Sequence, residues 1–183
     1  ICNDNLKMAL SVEDTKFIIE IPDGITGRSR SPSPDFVGRL RWELDWARFQ
    51  IAGLYRNVGF QPTGASADIY GDKVRTANAW GWNLTGVMLL DDQTKGYYKI
   101  LYGDGIGSYR DLPDAAPTAA DELGLLPLFA WMVGITHDWR SNLSSNFTYA
   151  VNTLSTSPFQ AQDGVKSTTY LAANLIWSPL DRV

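Results

Sequence analysis

Basic side chains at alternating positions are the residues of this chain best placed to act on a ligand. Arg39 and Arg41 are separated by one residue. In the segment that follows, Arg48 and Arg56 are separated by an even number of positions. Because alternate residues of a β-strand lie on one face, each set forms a row of fixed positive charges. Rows of Arg or Lys attract anions. The candidate anion-contacting residues are Arg39, Arg41, Arg48, Arg56 and Lys99.

Motifs for catalysis or metal binding are weak by comparison. The chain has one Cys and one His, which excludes Cys-based zinc and iron–sulfur sites and most His chemistry. Residues 103–109 lack a full G-x-G-x-x-G, and we expect them to bend a strand into a loop. His137 and Asp138 have no G-x-S-x-G nucleophile to act on. We therefore expect no catalytic residue, no metal and no cofactor, so the protein is not expected to be an enzyme.

Composition excludes further classes of protein. A formal net charge of −4 and an isoelectric point near 4.9 argue against nucleic acid as a partner. Mean hydropathy is −0.17, and no run approaches the ~20 apolar residues of a membrane-spanning helix. This excludes a helical membrane protein but leaves a transmembrane β-barrel open, because its strands alternate apolar and polar residues.

Apolar and polar residues alternate with a period of two along most of the chain, which predicts strands rather than helices. We expect about nine strands: two weaker ones at 4–11 and 15–21, then 35–44, 47–56, 80–88, 97–102, 129–136, 143–152 and 168–177.

The connections between these strands alternate in length. Short links are expected at 12–14, 45, 91–94 and 138–141, and long ones at 22–35, 59–78, 104–126 and 154–165. An antiparallel up-and-down transmembrane β-barrel has this asymmetry, with tight turns at one end and long loops at the other. Within the third long loop, residues 113–126 are expected to form a short helix capped by Thr118.

Aromatic residues are concentrated at predicted strand ends. One group is next to short turns and the other is near long loops, as expected for belts at two membrane–water interfaces. Filling of a soluble core is the alternative reading. The first group is Trp42, Trp46, Trp139 and Trp177, and the second is Phe36, Tyr55, Trp80, Trp82 and Tyr102.

If the aromatic face meets lipid, the opposite face lines a water-filled lumen. Folding the hairpin at residue 45 places Glu43 opposite Arg48, so these two charges neutralise each other. Arg39 and Arg41 have no acid at the matching positions, which favours an anion-preferring lumen. The alternative is that these arginines pair with acids elsewhere or stiffen the wall.

Four segments in register resemble the DcaP-like porins of Gram-negative outer membranes: residues 35–42, 101–110, 137–143 and 173–179. The resemblance implies a trimeric barrel, typically of sixteen strands, that passes small, preferably anionic solutes such as dicarboxylates. It makes Arg39 and Arg41 pore-wall residues. The first 34 residues show no match, and about nine strands are too few for such a barrel. Residues 1–183 are therefore expected to be an incomplete part of one porin β-barrel domain.

The sequence thus predicts an outer-membrane porin with membrane lipid and small anionic solutes as partners, assembled as a homotrimer. The alternative is a soluble all-β carbohydrate-binding module that uses Trp80, Trp82 and Tyr97 as a stacking platform.

Overall fold

The structure, a computed structural model, describes residues 5–117, 122–156 and 164–179. Strands dominate these residues. In chain order the elements are β1 (Leu6–Glu13), β2 (Gly27–Arg30), β3 (Asp35–Glu43), β4 (Ala47–Pro62), α1 (Ala65–Tyr70), β5 (Arg75–Leu89), β6 (Thr94–Asp104), a 3₁₀ turn (Gly107–Arg110), β7 (Ala115–Pro117), β8 (Leu123–Leu125), β9 (Pro127–Arg140), β10 (Leu143–Leu154) and β11 (Ser167–Trp177).

Eight long strands form one antiparallel sheet in the order β1-β3-β4-β5-β6-β9-β10-β11. β2 extends this sheet by pairing with the end of β4, and β7 pairs with β8 as a separate hairpin. Each long strand pairs with the next long strand along the chain, which is the connectivity of an up-and-down barrel wall. The all-β, antiparallel fold class is confirmed, and the sheet is open between β1 and β11.

The alternation of residue types sets the two faces of this sheet. In the β3–β4 hairpin Leu40 pairs with Ile51 and Trp42 with Phe49, so these apolar side chains share what we call the outer face. The opposite, inner face carries the arginines. The prediction that Glu43 lies opposite Arg48 is confirmed by the same register.

The predicted strand at 15–21 is wrong, as is the short link at 12–14. β1 continues to Glu13 and pairs directly with β3, so residues 14–34 form one long connection that includes β2. Ile19 makes a single bridge with Ala115, and Phe17 packs against a buried cluster on the inner face. With a long connection between β1 and β3, long and short connections alternate along the whole sheet. The tight turns at 44–46, 90–93 and 141–142 define the turn end of the sheet, and the long connections define its loop end.

The helix predicted for 113–126 is also wrong for the residues of this range that the structure describes. Ala115–Pro117 pairs with Leu123–Leu125 as a hairpin, while the predicted cap Thr118 lies outside the described residues. The helix α1 lies instead in the long connection between β4 and β5. In the described part of the chain, no helix has the length and apolar character needed to cross a membrane.

Buried apolar side chains are found at the loop end, between the inner face and residues 105–117 and 122–126, which we call the inner loop. Ile106, Leu112 and Leu126 of this loop pack on wall residues Leu101 and Leu128. A second cluster joins Ala115 of the inner loop to Val58 and Ala79. The connection after β6 therefore does not project away from the sheet but covers part of its inner face.

Candidate functional site

Four charged residues near the turn end form what we call the turn-end cluster: Lys7, Arg41, Glu43 and Arg48. The Glu43 carboxylate lies 2.6 Å from Lys7 Nζ and 3.3 Å from Arg48 Nε. Arg41 Nη1 lies 3.9 Å from the same carboxylate, and this guanidinium also donates two hydrogen bonds to Gln50 Oε1. Since one carboxylate faces three cations, the cluster carries a net positive charge, and the Arg48 side chain is 62% exposed.

Two further predicted residues lie on the same face without a charged partner. Arg39 pairs in register with Ala52 and is exposed. Lys99, three strands further along the sheet, is half-buried and pairs with Thr85 and Met132. Among the described residues neither side chain has an ion-pair partner. Both side chains therefore place positive charge without a neighbouring carboxylate on the inner face of the sheet.

Arg56 shares this face but has different surroundings. Its side chain is 1% exposed, and its Nε lies 3.3 Å from Asp35 Oδ2. Its Nη1 lies 3.5 Å from Asp114 Oδ1 and donates to Ser108 Oγ at 3.1 Å. The Arg56 guanidinium also lies over the Tyr109 ring, 5.5 Å from its centroid. We call Asp35, Arg56, Ser108 and Asp114 the loop-end cluster.

Asp114 bonds to residues of both long connections near this cluster, the one at 14–34 and the one after β6. Its carboxylate accepts hydrogen bonds from the backbone N–H of Ile18 at 2.7 Å and of Ser108 at 3.0 Å. Burial raises the pKa of Asp114, and these hydrogen bonds and Arg56 act in the opposite direction. Arg56 also donates to the main-chain carbonyl of Lys16. The loop-end cluster therefore fastens both the inner loop and the 14–34 connection to the inner face.

Glycines allow the chain to turn back here, as predicted for residues 103–109. Gly105 has φ +73°, a left-handed conformation that disfavours other residues, and β6 ends just before it. At Gly107 a Cβ would lie 2.0 Å from the carbonyl oxygen of Pro113. The bend therefore requires glycine at both positions, and it places the inner loop against the wall.

The sequence reasoning missed Arg110, which ends the 3₁₀ turn of the inner loop. Its Nε donates to Asn152 Oδ1 on β10 at 2.9 Å, and it is close enough to Lys99 to interact electrostatically. No periodic pattern could have identified it, because it lies in a connection. Within the described ranges, no group of three or more His, Cys, Asp or Glu residues is placed to hold a metal.

The outer face carries the aromatic residues at both ends, as predicted. Trp42 and Trp177 lie at the turn end. Tyr55 and Trp80 pair with each other at the level of the loop-side ends of β3 and β6, while β4 and β5 extend beyond them. All four side chains are substantially exposed. Trp80 packs edge-on against Tyr102 at 5.9 Å.

Tyr97, in contrast, lies on the inner face, where its hydroxyl contacts Thr148 Oγ1 at 2.7 Å. Its register partners are Val87 and Gly134, whereas Trp82 pairs with Tyr102 on the outer face. The stacking platform predicted from Trp80, Trp82 and Tyr97 is therefore wrong, because the three rings do not share a face.

Comparison with known proteins supports the fold. No family model and no curated protein sequence matches the chain. The crystal structure of the outer membrane channel DcaP of Acinetobacter baumannii is similar, with a TM-score of 0.77 over 98% of this chain and 14% sequence identity. This chain spans about half the length of that structure, because the match covers 50% of it. The chain thus has the fold of part of a β-barrel wall.

Proposed function

We propose that this chain forms part of the wall of an outer-membrane channel through which small, preferably anionic solutes diffuse. The observation that carries the proposal is the two-faced sheet. One face is apolar with exposed aromatic residues. The other bears Arg39 and Lys99, which have no ion-pair partner among the described residues, and a turn-end cluster with three cations for one carboxylate. The similar fold of a known outer membrane channel supports the same function.

The excess of cations on the wall supports the anion preference. Arg39 and Lys99 have no ion-pair partner in the described structure, and the turn-end cluster with Arg41 and Arg48 has excess positive charge. Fixed positive charge in a lumen attracts anions and repels cations. We assign Arg56 a different, structural role. Since two buried carboxylates face it, it holds the inner loop rather than acting on solutes.

Location and assembly are part of the same proposal. An apolar outer face with aromatic ends suits a bilayer, so we expect the protein to partition into outer membranes and to require detergent for extraction. The resemblance to DcaP-like porins further suggests a homotrimer and dicarboxylate substrates. A protein that stays monodisperse without detergent would contradict the membrane location.

Reversal potentials of the full-length protein in planar bilayers under a salt gradient test the anion preference. We expect the double variant Arg39→Ala/Arg41→Ala to shift the reversal potential toward cation preference. The shift should be larger at 0.01 M than at 1 M salt, because the Debye length falls from about 30 Å to about 3 Å.

The matched control is Arg28→Ala/Arg30→Ala. It also removes two positive charges two residues apart, but from β2, where both side chains are bonded to Gln61 at the loop end. An unchanged reversal potential in the β3 variant, or an equal shift in both variants, would contradict the role assigned to Arg39 and Arg41.

A further inference from the structure

Two exposed arginines, Arg28 and Arg30, lie on β2 at the loop end. In register, Arg28 pairs with Gln61 and Arg30 with Gly59 of β4. Both β4 positions are an even number of residues from Tyr55, and the pairing of β4 with β5 continues without a shift between them. Because alternate residues of a strand share a face, the two arginines lie on the side of the outer face and not in the lumen.

A single amide holds the two guanidinium groups together. Gln61 Oε1 accepts a hydrogen bond from Arg28 Nε at 3.2 Å and another from Arg30 Nε at 3.0 Å. The Gln61 amide N–H donates in turn to the main-chain carbonyl of Asp72 at 3.0 Å, which fixes the direction of the oxygen. Two cations that repel each other are therefore held side by side.

The terminal N–H groups of this pair are free. Among the described residues, neither Arg28 nor Arg30 has an ion-pair partner, and only their Nε atoms are hydrogen-bonded. The planar guanidinium group presents its N–H donors in a geometry that matches the oxygens of a phosphate. A phosphate between the two groups would offset their repulsion and use the free donors.

The apolar part of the outer face ends just before this pair. Tyr55 and Trp80 are the last aromatic residues of β4 and β5 on this face, and they pair with each other. The next outer-face positions toward the loop end are Asn57 and Asn78, joined by a hydrogen bond of 2.7 Å between their side chains. A change from aromatic to polar side chains is typical of the boundary between the bilayer and water.

The distance of the arginines from this boundary restricts the lipid that they can reach. With a rise of about 3.4 Å per residue and a strand tilt of about 40°, Arg30 and Arg28 lie about 10 Å and about 15 Å beyond Tyr55 along the barrel axis. The headgroup layer of a phospholipid leaflet is only about 5–8 Å thick. The pair therefore stands above the phosphates of ordinary phospholipids and at the height of a larger, sugar-based headgroup.

We propose that Arg28 and Arg30 bind the phosphorylated sugar headgroup of an anionic glycolipid in the leaflet at the loop end. The phosphate contacts both guanidinium groups, and the acyl chains lie along the apolar outer face below Tyr55 and Trp80. This site rests on the membrane location given under the proposed function. It assigns the outer face a specific lipid in addition to general contact with the bilayer.

Native mass spectrometry of the full-length protein in detergent micelles tests the lipid preference. The probes are lipopolysaccharide with a phosphorylated inner core, the same lipopolysaccharide after removal of its phosphates, and phosphatidylglycerol. We expect the phosphorylated form to bind at least about tenfold more tightly than the other two, as for about two basic groups acting on one anionic headgroup. Equal binding of the phosphorylated and dephosphorylated forms, or tighter binding of phosphatidylglycerol, would overturn the proposal.

Inorganic phosphate separates a lipid site from a site for free anions. We expect it to leave the bound lipopolysaccharide in place at an equal concentration, because it lacks the contacts of the acyl chains with the outer face. Displacement of the lipid by an equal concentration of inorganic phosphate would show that the pair binds free anions, which overturns the glycolipid assignment.

Variants of β2 identify the binding residues. We expect Arg28→Gln/Arg30→Gln to weaken lipopolysaccharide binding by about tenfold or more, and Arg28→Lys/Arg30→Lys to weaken it less, because lysine keeps the charge without the planar donor geometry. The matched control is Arg39→Gln/Arg41→Gln, which removes two charges with the same spacing from the inner face. Equal losses in the β2 and β3 glutamine variants, or equal losses in the lysine and glutamine variants of β2, would overturn the assignment.

Conductance in phosphatidylcholine bilayers, which contain no glycolipid, separates the two proposals and shows that each variant is folded. A conducting β2 glutamine variant that binds lipopolysaccharide as tightly as the unchanged protein overturns the lipid site and leaves the channel intact. A protein that binds lipopolysaccharide through β2 but does not conduct overturns the channel and leaves the lipid site intact.

Discussion

The two charged clusters of the inner face have opposite charge balances, with more cations than acids in the turn-end cluster and more acids than cations in the loop-end cluster. In the turn-end cluster one carboxylate, Glu43, faces three cations that water reaches. In the loop-end cluster one cation, Arg56, faces two carboxylates, and all three side chains are almost fully buried.

The ion pairs of the two clusters have similar N–O distances, but their side chains differ in burial. Exposed ion pairs contribute about 0–1 kcal/mol and are screened by salt, so the turn-end cluster adds little to stability, and under the proposed function its excess positive charge is what matters. Removing one partner of a buried pair costs about 3–5 kcal/mol, because the other charge remains desolvated. The loop-end cluster therefore acts through structure, by holding the inner loop on the wall.

The largest expected effect comes from Arg56→Met. This change leaves Asp35 and Asp114 buried without their cation, so we expect the free energy of unfolding to fall by about 3–5 kcal/mol. Urea unfolding in lipid vesicles measures this loss. Hydrogen exchange should show faster opening of residues 105–117.

A compensating variant sharpens this test. Arg56→Met combined with Asp35→Asn and Asp114→Asn removes the whole charge set, and we expect it to recover part of the lost stability. If the single variant loses less than about 1 kcal/mol, the loop-end cluster does not hold the loop.

An intermediate effect is expected from Gly107→Ala. The added Cβ would lie 2.0 Å from the carbonyl oxygen of Pro113, which is backbone and cannot move without displacing the inner loop. We expect a loss of about 1–3 kcal/mol, typical of overpacking, in the same urea assay. The matched control is Gly53→Ala, because a Cβ there has no atom within 4 Å. Equal stability of the two variants would show that the loop adapts without cost.

The smallest stability effect is expected from Glu43→Gln, which should change the free energy of unfolding by less than about 1 kcal/mol. It removes the acid of the turn-end cluster, so anion preference should increase, most clearly at low salt. Reversal potentials measure this change. A decrease in anion preference would mean that Glu43 does not offset Lys7, Arg41 and Arg48.

The strands and the β3–β4 register could be predicted because local rules determine them. Alternation assigns each side chain to a face, and a tight turn at residues 44–46 fixes which residues pair, so Glu43 and Arg48 follow directly. Alternation also assigns the inner-face positions of Arg39, Arg41 and Lys99. Their contact with solutes stays a prediction.

The inner loop could not be predicted, because long-range contacts form it. Arg56 has the same spacing as the exposed arginines, but its two acids are 21 and 58 residues away in the chain. Phe17 and Ile19 alternate as in a strand, yet they pack against the inner face and Ala115. Residues 115–125 contain good helix formers, but their ends pair as a hairpin. In each case tertiary packing overrides local preference.

The loop-end cluster also has a consequence for the order of assembly. Every wall hairpin joins strands that are close in the chain, whereas the hydrogen bond from Ile18 to Asp114 joins residues 96 positions apart. Contacts of such separation carry a larger loop-closure cost and form after local ones. Burial of Arg56 requires β3, β4 and both connections to be in place, so we expect docking of the inner loop to be a late folding step. Docking can be completed only when the preceding hairpins have paired in the correct register.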